Sequence, residues 1–121
     1  MADGIPSRRT RACASRGQVT GSCATMPELR HRIDRLDEEI VARLVARFGL
    51  MEEAARIKGD RARIHDQARI REVLAHVCDR AKSAGAPPEV EEAIAEIYRA
   101  LVRHSIRYEF MVFDRDLQED E

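Results

Sequence analysis

The sequence of 121 residues contains no tryptophan, and aromatic residues make up only 4% of it, so a core would have to be aliphatic. It has no apolar run that approaches the roughly 18 residues needed to cross a bilayer as a helix. The formal net charge is −1, without the basic excess typical of nucleic-acid-binding proteins. We therefore expect neither a membrane nor a nucleic acid as a partner.

Cysteine and histidine are too few and too irregularly spaced to predict a metal site. The three cysteines, Cys13, Cys23 and Cys78, are an odd number without metal-ligand spacing. The four histidines form no HxxxH pair, and His76 and Cys78 would face apart on a helix. We predict free thiols in a reducing compartment, hence a cytoplasmic protein, and no metal site.

Lysine is also scarce. Lys58 and Lys82 are the only two lysines, so 19 of the 21 lysine and arginine residues are arginine. Lys58 ends the longest amphipathic stretch, residues 29–58, in which apolar residues recur at spacings of three and four. A helix of that length is a rod of roughly 45 Å, longer than a compact domain of this size needs. Its broad apolar stripe predicts a second chain that covers it.

Two further helices complete an all-α domain of three helices: long, short and long. Asp66 is the expected N-cap of the second helix, residues 67–83, and Gly85 ends it. Pro87 and Pro88 open the third, whose apolar stripe runs from Val90 through Ile97 to Met111. No segment predicts a strand.

The two ends of the chain differ from its middle. Residues 1–25 are rich in arginine and small polar residues, as in a transit peptide, a disordered tail, or a segment upstream of a true start at Met26. Residues 114–121 carry five acids and predict an acidic, solvated tail. The helical domain is thus expected over residues 26–113.

Charged residues recur where the helices would bring them together. Arg47 and Lys58 are eleven residues apart and therefore share a helix face to within roughly 20°. Arg30 lies about 100° round the helix from Arg47. Such cations suit a small dianionic ligand, because arginine forks bind carboxylates and lysine supplies a point charge. The alternative for each residue is an ordinary solvated helix face. The remaining candidates are Asp66 and Arg69 at the start of the second helix, and the i,i+4 pair Ser105 and Glu109 on the third.

These residues occur in an order that resembles a known family. LRHRIDRLDEEIVARLVARFGLMEEAARIK, then IHDQARIREVL and finally HSIRYE, are similar to the all-helical (AroQ-class) chorismate mutases, over residues 28–110. The resemblance implies an intertwined homodimer with two active sites. It also implies an isomerase that converts chorismate to prephenate by an intramolecular Claisen rearrangement, without cofactor or metal.

The resemblance implies a role for each candidate residue. Arg47 and the partner's Arg30 would hold the substrate carboxylates, and Ser105 would contact a carboxylate. Lys58 and Glu109 would be the two partners of the ether oxygen. Asp66 would lie near the C4 substituent and Arg69 at the edge of the site.

Two positions depart from the family pattern. Ile70 stands where many members have a glutamate that binds the C4 hydroxyl, and Glu109 stands where bacterial members usually have glutamine. An ionised Glu109 would repel a developing oxyanion, so it would have to be protonated to donate. These departures point to two alternatives, a 4-amino-4-deoxychorismate mutase of antibiotic biosynthesis and an isochorismate pyruvate lyase. The alternative from a different class is a non-catalytic helical dimer.

Overall fold

The computed structural model of the chain describes residues 24–119, and its architecture is all-α. The helices are α1 (Met26–Lys58), α2 (Gln67–Ser83) and α3 (Pro88–Glu119), with a short 3₁₀ turn at Arg61–Arg63. The described residues contain no strand, and the prediction of three helices, long, short and long, is confirmed. The tail predicted over residues 1–25 lies almost entirely outside the described residues, as do Cys13 and Cys23.

The chain divides into two compact units after Ala42, within α1. In the first unit α1 begins at Met26, three residues before its apolar pattern starts. The Oγ1 of Thr25 accepts from the N–H of Glu28 at 3.2 Å, and the Glu28 carboxylate accepts from the N–H of Ala24 at 2.9 Å. This reciprocal cap satisfies N–H groups that the first helical turn leaves unpaired. Within residues 24–119 no helix is both long and apolar enough to cross a membrane.

In the second unit, from Arg43 onwards, the end of α1 and the whole of α2 contact α3. The Phe48 ring on α1 meets the Tyr108 ring on α3 edge to face, with centroids 5.6 Å apart. The Tyr108 hydroxyl donates a short hydrogen bond to Glu52 on α1, which raises the pKa of Tyr108. Helix α2 packs along α3.

Local sequence fixes both turns of this unit. Gly59 and Gly85 follow α1 and α2 with φ angles of 64° and 88°, in the left-handed region that glycine adopts without strain. Asp66 caps α2 as predicted, because its Oδ1 accepts from the N–H of Arg69 at 3.1 Å.

The buried core of the single chain is small. Its apolar members are mostly alanine and valine, and they include Ala55, Ile64, Ala81, Ala95, Val102 and Val112. The α3 stripe expected from the sequence is only partly covered, since Val90, Ile97 and Met111 are exposed. The sequence pattern predicted burial of the largest apolar residues of α3. The residues that α3 buries are instead smaller apolar ones and two polar ones, Ser105 and Glu109.

Helix α3 also continues where the sequence predicted an acidic tail from residue 114. Asp114 accepts from Arg61 Nε at 2.9 Å, and Asp116 lies 3.5 Å from Arg56 Nε. The hydrogen bond and charge of Arg61 lower the pKa of Asp114. These pairs hold residues 114–116 against the end of α1 and the 3₁₀ turn.

Candidate functional site

One cavity of about 270 Å³ lies in the second unit between the end of α1, the start of α2 and the middle of α3. Seven of the eight site residues predicted from the sequence line it; they are Arg47, Lys58, Asp66, Arg69, Ile70, Ser105 and Glu109. The eighth, Arg30, is an exposed residue of the first unit. The volume is near the lower end for small-molecule sites, which begin at about 300 Å³.

Lys58 and Glu109 form an ion pair in the wall of the cavity. Lys58 Nζ donates to Glu109 Oε2 at 2.9 Å and to the backbone carbonyl of Ile64 at 3.4 Å. Glu109 is only 4% exposed, so Lys58 balances a carboxylate that has little access to water. An ammonium has three N–H donors, and these two acceptors leave one for a ligand.

Side chains of α3 hold Arg47 in place. Its Nη1 donates to Ser105 Oγ at 2.7 Å, and Ser105 Oγ lies 2.8 Å from the backbone carbonyl of Leu101. A carbonyl only accepts and a guanidinium only donates, so the Ser105 hydroxyl accepts from Arg47 and donates to Leu101. The Arg47 guanidinium also stands over the Tyr98 ring, 5.7 Å from its centroid.

The start of α2 supplies the third wall of the cavity. The capping bond of Asp66 uses its Oδ1, which leaves Oδ2 for another partner. Arg69 donates to Glu72 at 2.7 Å on the exposed side of α2, so its fork is already partly engaged. Ile70 contributes only aliphatic surface, and no carboxylate stands at that position.

A second recess of about 410 Å³ adjoins the cavity on the α2 side. It shares Arg47 and Arg69 with the cavity, and Tyr98 and His76 are among its other lining residues. Arg47 and Arg69 therefore line both concave surfaces. Among residues 24–119, no three metal-ligating side chains come together.

Sequence reasoning missed several contributors to the site. Met51, Val73 and Ile106 line the cavity, and each lies within one helical turn of a predicted residue, which is a signal that could have identified them. The carbonyls of Ile64 and Leu101 gave no such signal, because every residue has a backbone carbonyl. The ring of Tyr98 gave none, because its contact with Arg47 depends on how α3 packs against the end of α1.

The chemistry of the cavity follows from its charges. It combines a partly buried arginine, an ammonium with a free donor and a carboxylate that has little access to water, and apolar side chains surround them. These charges suit a small anionic ligand, and the apolar walls would strengthen electrostatic interactions by excluding water.

Comparison with known families gives one match. The family model described as chorismate mutase type II matches residues 29–110, a range that contains all eight predicted site residues. Comparisons with curated proteins and with solved structures gave no match.

Proposed function

The chain belongs to the all-helical chorismate mutase type II family, and from this premise we propose that it catalyses the rearrangement of chorismate to prephenate. The family places such an isomerase in aromatic amino acid biosynthesis. The observation that supports the proposal is the cavity in which Arg47 and the Lys58–Glu109 pair converge from α1 and α3. In this reaction one molecule exchanges a carbon–oxygen bond for a carbon–carbon bond, so the site needs no second reactant.

The proposed mechanism combines positioning and charge stabilisation. Arg47 binds a carboxylate of chorismate and thereby selects the diaxial, chair-like conformer in which the reacting carbons approach each other. The remaining N–H of Lys58 donates to the ether oxygen, where negative charge grows as the bond breaks. Because the acceptors of Lys58 already fix its ammonium, little reorganisation accompanies the reaction.

Glu109 fits the proposal in two protonation states. As a carboxylate it holds Lys58 in place at 2.9 Å. As a protonated acid it would be the second donor to the ether oxygen, the role that the family resemblance implies. Holding Lys58 in place requires no proton on Glu109, and we assign this role to Glu109 in the protein before the substrate binds.

We further propose that the working enzyme is a homodimer. Large apolar side chains of α1 are exposed in the single chain; they include Ile33, Leu36, Ile40, Val41, Val45, Leu50 and Ile57. Exposed apolar surface on this scale marks an interface. A second copy of α1 has the matching chemistry, and it would bring the partner's Arg30 to the carboxylates of the substrate.

The experiment that tests the activity follows the absorbance of chorismate, isochorismate and 4-amino-4-deoxychorismate in parallel, with product identification. Chorismate should be converted to prephenate. Lys58→Ala should lower kcat/KM by about a hundredfold or more, because it removes the donor to the ether oxygen. Lys82→Ala is the matched control, since the other lysine is exposed and pairs with Glu91 at 3.6 Å. Equal rates for the two variants, or pyruvate as the product, would overturn the proposal.

A second candidate is the rearrangement of 4-amino-4-deoxychorismate. Ile70 in the cavity wall supports it, because an aliphatic side chain cannot accept a hydrogen bond from a C4 hydroxyl. An ammonium at C4 would instead have the free Oδ2 of Asp66 as a partner. Faster conversion of the amino compound than of chorismate would favour this candidate.

A further inference from the structure

The Arg47 side chain meets α3 at two points that lie two helical turns apart. Ser105 Oγ accepts from Nη1 at 2.7 Å, and the Tyr98 ring lies under the guanidinium at 5.7 Å. Tyr98 and Ser105 are seven residues apart, two turns of α3, so they face Arg47 from the same side of that helix. Neither Tyr98 nor its contact with Arg47 was expected from the sequence.

We propose that Tyr98 is a positioning residue that holds the plane of the Arg47 guanidinium for a substrate carboxylate, with Ser105 holding one of its nitrogens. This inference rests on the proposed function, in which Arg47 binds that carboxylate. Ser105 acts through Arg47 and not on the substrate, because its single hydroxyl proton is donated to the carbonyl of Leu101.

The Tyr98 ring restrains the orientation of the Arg47 guanidinium, which the hydrogen bond to the Ser105 hydroxyl alone does not. One hydrogen bond fixes one nitrogen, and the guanidinium can still rotate about it. A carboxylate binds two parallel N–H groups only when the guanidinium lies in the right plane. An aromatic face attracts the cation and limits its tilt. Ordering Arg47 before substrate enters lowers the entropy lost on binding.

The substitution that tests the proposal is Tyr98→Leu, with Tyr98→Phe as the conservative partner. The Tyr98 hydroxyl makes no hydrogen bond with the described residues, so phenylalanine keeps the proposed restraint intact. Both carboxylates of chorismate are bonded to carbons that take part in the rearrangement, so a loosened Arg47 weakens substrate binding and conformer selection together. Tyr98→Leu should therefore lower kcat/KM for chorismate about fivefold, while Tyr98→Phe matches the wild type.

A second readout does not depend on activity. The Arg47 Nε–H signal, assigned from its loss in Arg47→Lys, should show a ring-current shift in the wild type and in Tyr98→Phe. The shift should be absent in Tyr98→Leu. Phe113→Leu, an aromatic-to-leucine change on α3 at a residue lining a different cavity, controls for general loosening of the helix.

Three results would overturn the proposal. They are an unchanged kcat/KM in Tyr98→Leu, an equal fall in kcat/KM in Phe113→Leu, and an Arg47 signal that does not respond to the loss of the ring. If the wild type converts no chorismate, the proposed function fails by itself, and the Arg47 signal then decides whether Tyr98 positions the guanidinium.

Discussion

Ile70 is the residue at which this cavity differs most from what the family resemblance implies. It lines the cavity one position after Arg69, and Asp66 lies one turn before it on α2. The start of α2 thus offers the cavity one free carboxylate oxygen and one aliphatic wall. In the proposed function the C4 substituent lies there, so this pairing should decide which substituent is preferred, and one substitution should alter the preference.

Ile70→Glu should shift the ratio of kcat/KM for chorismate over 4-amino-4-deoxychorismate. A glutamate would accept from the C4 hydroxyl, and a hydrogen bond to a charged group is worth enough to raise kcat/KM for chorismate about tenfold. Ile70→Leu keeps the aliphatic wall and serves as the control. Parallel rate measurements on both compounds check the prediction. The same ratio in both variants would show that position 70 does not contact the C4 substituent.

At the scale of elements, the sequence identified the three helices, and it located the start of α2 at Asp66 and its end near Gly85. Periodicity and capping chemistry are local, so they can be read without the fold. The start of α1 at Met26 coincides with the start of the domain expected over residues 26–113, and Thr25 and Glu28 have the spacing of a capping box there.

The continuation of α3 to Glu119 was missed for a different reason. Five acids among eight residues are typical of a solvated tail, and the residues that neutralise them are distant in sequence. Arg61 and Arg56 lie more than fifty positions before Asp114 and Asp116.

Contacts between residues distant in sequence also limited the prediction of the site. Its charged residues were predicted from spacing and resemblance, but Tyr98 was not, because only packing brings it to Arg47.

Asp114→Asn should make the protein less stable at neutral pH but not at low pH. The hydrogen bond and charge of Arg61 lower the pKa of Asp114 below its ordinary 3.8. A group with a lowered pKa stabilises the fold above its unfolded pKa, and the contribution is lost as pH falls through the lower folded value. The effect is small, because Arg61 and Asp114 are both exposed.

Melting temperatures of the wild type and Asp114→Asn between about pH 7 and pH 2 test this prediction. Their difference should shrink below about pH 4, as the wild-type carboxyl becomes protonated. Glu92→Gln, which neutralises another exposed acid of α3, is the control. A difference that stays constant down to the lowest pH would contradict the assigned pKa shift.

At the scale of the whole molecule, the small core of the single chain and the exposed apolar side chains of α1 have one explanation in the proposed homodimer. Among residues 24–119 the largest fully buried side chains are Ile64 and Val112, so this part of one chain hides little of its apolar surface. A second copy would cover the α1 stripe. It would also make each active site a joint product of two chains.

Mixing two inactive variants tests whether the chains share their sites. Arg30→Ala and Lys58→Ala should each lack most of the activity. In a mixed dimer, one site would have an intact Lys58 and an intact partner's Arg30, and the other site would have neither. Random exchange of equal amounts would make half of the dimers mixed, so activity should return to about a quarter of the wild-type value.

Light scattering or sedimentation should give twice the chain mass in the same samples. Mixing Lys58→Ala with Lys58→Gln is the control, because no exchange of chains can restore the lysine. If activity does not return although mixed dimers form, Arg30 does not act across the interface.

The Lys58–Glu109 ion pair also bears on how the enzyme would respond to inorganic salts. A phosphate or chloride ion gains little from an ammonium that already holds a carboxylate at 2.9 Å. A ligand that needs only the third N–H can share Lys58 without displacing Glu109.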